Sequence, residues 1–290
     1  MPNIKLMTDS ASDISFENEK KYDIKVMNFK LIMGEESYVS RVDFDNEKFY
    51  KMLDGYDGIP THSQITSFEY LEEFEKYYNE GYTDVINVTI NANASSTYSN
   101  AVMAAEQFFE EHPEAKDKFN IYNIDSESYT ATYGYPICRA ATKINRGATA
   151  TEVVNYIKAR LSKSVIYFAM YTLKYARKSG RIPSAAAFVG EVLGLKPIMR
   201  ICDGEIKTHE KVRGDKAIMP KIESLVSGEI IPQTPYCIIY GSDLEARDEM
   251  ARVMTKKLGY PPADFYQIGA VISVNAGPQV VGVMFKSRTR

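Results

Sequence analysis

Short apolar runs, each closed by a small polar loop and followed by a helical repeat, constrain this chain more than any other feature. Ile4–Met7, Val85–Ile90 and Ile121–Ile124 read as strands. Between them, Phe68, Leu71, Phe74, Tyr77 and Tyr78 fall at helix spacing, and Thr66 with Glu69 forms a capping box at that helix's start. Ala101–Glu111 continues in good helix formers and ends before Pro113, and Thr149 with Glu152 caps Val153–Leu161. Strands alternating with helices predict a parallel sheet covered by helices. The later part reads differently. Val165–Thr172, Tyr236–Tyr240 and Val281–Phe285 are predicted strands, Ser184–Leu193 an Ala-rich helix and Ala246–Leu258 a second helix. Lys196–Ile201 and Glu205–His209 flank Asp203-Gly204, which predicts a hairpin. The expected fold class is α/β in two domains: an N-terminal, Rossmann-like parallel-sheet domain over residues 1–162 and a C-terminal α+β domain over residues 163–290.

Charge narrows the function. The 290 residues carry 35 Lys and Arg against 38 Asp and Glu, a net −3 without long charged blocks, which argues against nucleic-acid binding. Cys138, Cys202 and Cys237 have no metal-ligand spacing, and an odd count argues against a disulfide framework; buried thiols in a reducing compartment are expected. The N-terminus has no signal-peptide pattern, and the most apolar stretch, Ala185–Leu195, is interrupted by Glu191 and too short to span a bilayer. A cytoplasmic protein with at most transient membrane contact is expected.

The polar loops hold the candidate chemistry. Thr8-Asp9-Ser10-Ala11-Ser12-Asp13, Asn91 to Tyr98 and Asp125-Ser126 each follow a predicted strand. In an open parallel sheet, ligands bind beyond the strands' carboxyl ends. Hydroxyls and amides at helix starts suit an anion there, although the same residues serve equally as caps. Pro60-Thr61-His62-Ser63-Gln64 is a fourth donor-rich loop, set between two predicted helices. His112 and His209 read as surface residues. Four cations fall between Lys174 and Arg181, and the Ser179-Gly180 turn can aim Arg181 inward. Neither a phosphate-binding glycine loop, a dinucleotide fingerprint, a zinc-protease helix nor a nucleophile elbow is present. Thr61, His62 and Ser63 with Asp9 or Asp125 form the one conceivable catalytic set.

Taken in order, these loops resemble one family, the DegV proteins. To the segments above are added Lys178-Ser179-Gly180-Arg181-Ile182, Leu195-Lys196-Pro197-Ile198, Lys211-Val212-Arg213, Ile268-Gly269-Ala270-Val271 and Ala276-Gly277-Pro278, so the resemblance runs over nearly the whole chain. It implies a bacterial carrier, not an enzyme, with no cofactor, that buries one long-chain fatty acid. Its carboxylate sits at the polar loops, and some members present it to a fatty acid kinase for acyl-phosphate formation and phospholipid synthesis. By position the resemblance implies ligand-binding roles for Thr61, His62, Ser63, Ser95, Ser96, Arg181 and Asn275. The chain departs from the family pattern at four places. His62 stands where a second Thr or Ser is usual, Ser96 where a glycine is usual, Asn275 where a His is usual, and Gln279 where a glycine follows the proline. Asn cannot carry a proton, so His62 is expected to take the part of the missing His.

A fatty acid needs an apolar tunnel and a satisfied head group. Phe168, Met170, Ala185–Ala187, Phe188, Val189, Val192 and Leu193 are the expected tunnel lining, and Lys174, Arg177, Lys178, Arg200 and Arg213 the expected docking surface for the kinase. Two alternatives stand beside this reading: a hydrolase or transferase acting on an acyl or phosphoryl group, and a carrier of another small anionic lipid.

Overall fold

The computed structural model describes residues 3–182 and 194–289. Among these, thirteen strands form three sheets. In chain order the strands are β1 (Ile4–Asp9), β2 (Ile24–Met27), β3 (Lys30–Met33), β4 (Glu36–Val39), β5 (Thr61–Ser63), β6 (Asp84–Thr89) and β7 (Asn120–Asp125). They continue with β8 (Ser164–Met170), β9 (Leu195–Cys202), β10 (Glu205–Arg213), β11 (Cys237–Tyr240), β12 (Asp264–Gln267) and β13 (Val280–Lys286).

The first sheet is parallel, in the order β2-β1-β6-β7. The chain leaves β1 toward β2 on one side and returns to β6 on the other. The carboxyl ends of β1 and β6 therefore flank a topological switch point, where an open sheet leaves a crevice. Helices Ser67–Asn79, Thr97–Glu111, Ala131–Ile144 and Ala150–Leu161 belong to this unit. Both predicted capping boxes are formed: Thr66 with Glu69, and Thr149 with Glu152.

The second sheet is mixed, in the order β10-β9-β8-β13-β11-β12, with β11 and β12 parallel and the other neighbours antiparallel. The chain is thus an α/β protein with a parallel sheet followed by a mixed one. Every residue of β8 is buried, because both faces of this sheet are covered. Strand alternation divides them. Ile166, Phe168 and Met170 join the large core that also holds the parallel sheet, whereas Val165, Tyr167 and Ala169 pack in a second core with Ile222, Met250 and Met254 of helices Ile218–Glu229 and Leu244–Leu258.

The β9–β10 hairpin turns at Asp203 and Gly204, whose φ angles of 51° and 75° place both in the left-handed region that the Asp-Gly pair tolerates. Its turn docks on the loop after β6, where Asn91 Nδ2 donates to the Gly204 carbonyl at 2.7 Å. The third sheet, antiparallel β4-β3-β5, was not expected from the sequence. It converts the supposed loop at residues 60–64 into an edge strand, with His62 opposite Leu31 of β3. The Ala-rich segment Ser184–Leu193 lies outside the described residues, apart from that no described helix is long and apolar enough to cross a membrane.

Candidate functional site

An apolar cavity lies between the inner face of the six-stranded sheet and the loops beyond β6 and β7. The space between its walls is ≈ 680 Å³, counting the part open to solvent. Eight isoleucines line it, among them Ile166 of β8, Ile201 of β9 and Ile239 of β11. Ile90 and Ala94 enter from the loop after β6, Tyr129 and Thr130 from the loop after β7, and Ile272 and Ala276 from helix Ala270–Ala276. The location follows from topology, at the carboxyl ends of the parallel strands.

Three polar side chains mark where the cavity adjoins a second space. His62, Arg181 and Asn275 line the cavity together, and all three also line a shallower outer pocket with Thr61, Lys178 and Ser179. Arg181 reaches this junction because the short helix Lys174–Ser179 stops at Gly180, whose φ of 70° reverses the chain at little cost for a residue without Cβ. Burial holds the His62 imidazole down to about 4, with the Arg181 guanidinium acting in the same direction. His62 is therefore neutral at pH 7. Its Nε2 lies 3.3 Å from Asn275 Nδ2.

The other predicted site residues lie elsewhere. Alternation along β5 sends Thr61 and Ser63 to the face opposite His62, and Thr61 reaches only the outer pocket. Ser63 lines neither space. Ser95 Oγ is 2.9 Å from Thr97 Oγ1 and accepts from Thr97 N, and Ser96 starts helix Thr97–Glu111 without a side-chain cap bond. Thr61 and Ser63 are thus directed away, because a strand alternates its side chains, and Ser95 is engaged with Thr97 within its own loop. The conceivable catalytic set is not assembled. Asp9 accepts from Ile90 N, Ala11 N and Tyr133 Oη, and Asp125 from Ala92 N and Glu127 N, so neither meets His62. Of the expected tunnel lining, Phe168 lines the cavity and Met170 is core, while Ala185–Ala187, Phe188, Val189, Val192 and Leu193 lie outside the described residues. Among the docking residues, Arg200 is paired with Glu229 at 3.6 Å and stacks over Tyr167, and Lys178 borders the outer pocket.

No local sequence pattern pointed to Tyr129 or Thr130. Thr130 adopts φ 49°, ψ −130°, a conformation a β-branched residue seldom accepts, and its N–H is held by the Ala11 carbonyl at 3.0 Å. One group of potential metal ligands exists among the described residues, Glu75, Glu111 and His112, and it does not border the cavity.

Two carboxyls at and just beyond the end of β1, Asp9 and Asp13, are buried. Burial pushes Asp13 up to about 7, against the Gly269 N–H, the Thr130 hydroxyl and Arg41, which pull it down; Asp9 is pushed up to about 6 for the same first reason. A raised carboxyl binds its proton more tightly in the folded state. Its contribution to stability is complete below the ordinary value of 3.8 and is lost as pH rises through 7. Asp13→Asn should therefore remove a slope on the order of 1 kcal/mol per pH unit from the wild-type stability profile between pH 5 and 7. Denaturant titrations of both proteins across that range check it, and parallel profiles would show that Asp13 titrates normally.

Several solved proteins share this fold. The chain superposes with a TM-score of 0.87 on a stearic-acid-binding protein from Eubacterium ventriosum, at 24% identity and covering 99% of both chains. It superposes with a TM-score of 0.82 on a DegV lipid-binding protein from Thermotoga maritima, at 25% identity and covering 100% of both. A DegV domain-containing protein of Clostridium perfringens is 31% identical over 286 residues, which is 97% of this chain and 98% of the relative. Fold and cavity together define the class, an α/β protein with an apolar pocket at a switch point and a more polar pocket adjoining it. Residues 3–288 match the profile described as uncharacterised protein, DegV family, and the chain belongs to the DegV family.

Proposed function

We propose that this protein holds one long-chain fatty acid, with its hydrocarbon in the isoleucine-lined cavity and its carboxylate at the end formed by His62, Asn275 and Arg181. One observation carries the reading: a cavity with almost wholly apolar walls shares His62, Arg181 and Asn275 with an outer, more polar pocket. Each buried CH₂ contributes about 0.8 kcal/mol, so some sixteen carbons offer on the order of 12 kcal/mol before the costs of association. A carboxylate is tolerated only where donors and positive charge meet it, which is what that end supplies. The named ligands of the Eubacterium ventriosum and Thermotoga maritima relatives, stearic acid and lipid, support the same chemistry.

Presentation of the carboxylate to a fatty acid kinase belongs to this proposal. It is supported by the outer pocket, where Lys178 and Arg181 stand beside the polar end. The division into units 1–162 and 163–290 belongs to it as well, supported by the parallel sheet ending at Asp125 and the mixed sheet starting at Ser164.

Denaturing freshly purified protein should release about one equivalent of a long-chain fatty acid, read by mass spectrometry. After the lipid is removed, adding stearate at a hundred times its dissociation constant should stabilise the protein by about 2.7 kcal/mol. Protein that releases no lipid and gains no stability from stearate would overturn the reading.

A further inference from the structure

We infer that His62 Nδ1–H is the donor that holds the ligand's carboxylate, and that Asn275 is the positioning residue that makes this nitrogen a donor. The inference rests on the fatty-acid reading above and specifies the hydrogen bond on which head-group choice depends.

The argument starts at Val271. Its carbonyl can only accept, and Asn275 Nδ2, one helical turn later, lies 2.8 Å from it. That contact fixes which end of the Asn275 amide is NH₂, an assignment that heavy-atom positions alone leave open. The same NH₂ lies 3.3 Å from His62 Nε2. An amide nitrogen has two hydrogens and nothing to accept with. His62 Nε2 must therefore be the acceptor, without a proton. A neutral imidazole keeps one proton, so Nδ1 carries it.

Nδ1 is buried and has no hydrogen-bond partner among the described residues. A buried N–H without an acceptor is unfavourable, and most such groups in native proteins are satisfied. The ring is held edge-on to Phe29, with centroids 5.5 Å apart, and His62 lines the apolar cavity, so the acceptor we assign to Nδ1 is one that a ligand brings in. Arg181 lines the same cavity. An ionised carboxylate only accepts, and it gains from the neighbouring guanidinium. Asn275 thus acts on the carboxylate through His62: its NH₂ sets the direction of the hydrogen bond that the imidazole makes.

Two variants separate the ring nitrogens. In His62→Asn the side-chain NH₂ stands near the position of Nδ1, and in His62→Gln near that of Nε2. Stearate binding should weaken roughly tenfold to a hundredfold in His62→Gln and be largely kept in His62→Asn. Octadecanol, which has no carboxylate, should discriminate much less between them. The direct readout is ¹⁵N NMR of the histidine ring in the full, lipid-free chain. His62 should show a protonated Nδ1 and an acceptor-type Nε2 before stearate is added, and Nδ1–H should move downfield afterwards. An Nε2–H tautomer in a protein that still binds stearate, or equal binding by the Asn and Gln variants, would overturn the assignment and leave the fatty-acid reading standing. Wild-type protein that binds no stearate would overturn that reading, and this inference with it.

Discussion

Ala276→Phe should abolish stearate binding, by a hundredfold or more, in a protein that still folds. Ala276 is buried on helix Ala270–Ala276 and lines the cavity, so a ring grown from its Cβ takes the volume a hydrocarbon chain would use. A hundredfold loss corresponds to about 2.7 kcal/mol, a fraction of what an excluded acyl chain forfeits. Thermal unfolding makes the test double. Overpacking a solid core typically costs 1–3 kcal/mol, whereas a ring entering empty space costs little. A melting temperature near wild type with binding lost is the expected pair of results. A large fall in melting temperature would mean that the space is already filled, and retained binding would mean that the chain lies elsewhere.

Gly241→Ala should cost more stability than a methyl added at any other glycine of the described residues. A Cβ at Gly241 would stand 1.8 Å from the Pro278 carbonyl oxygen and 2.7 Å from its carbon. Both are backbone atoms, so no rotamer relieves the clash. The approach is built in: Gly241 N donates to the Val280 carbonyl at 3.0 Å and Ser242 N to the Pro278 carbonyl at 2.8 Å, joining the end of β11 to the start of β13. A cost of roughly 3–5 kcal/mol follows, the range of severe core lesions. Gly228→Ala is the control. It lies in helix Ile218–Glu229 with nothing within 4 Å of its would-be Cβ, and should be neutral or gain up to about 1 kcal/mol. Equal chemical-denaturation midpoints for the two variants would refute the close approach.

Local signals in the sequence located much of the frame. Strands β1, β6 and β7 of the parallel sheet, both capping boxes and the Asp203-Gly204 hairpin are each written in a few contiguous residues. The antiparallel sheet of β3, β4 and β5 was not legible, because strands of four, four and three residues are too short for alternation to stand out, and Thr61–Ser63 is wholly polar. The same brevity hid that His62 and its two neighbours would face opposite ways. His62, Arg181 and Asn275 were named from the family resemblance and the departures from it, and the structure brings them to the lining of one cavity. Its isoleucines were missed because they are scattered from Ile90 to Ile272 and meet only through sheet register and topology. No local pattern could have selected Thr130, whose strained backbone is imposed by its surroundings.

Eight branched side chains around one void have a thermodynamic consequence. Isoleucine has little χ1 freedom, and those on strands stand nearly upright from the sheet. Such a lining keeps its shape when vacant, so its conformational entropy is lost once, during folding, and not again at each loading. Exchange of cargo then asks little rearrangement of the walls themselves, and the heat of binding should carry the signature of apolar contact with a preformed surface: a negative heat-capacity change without a large entropy penalty from the protein.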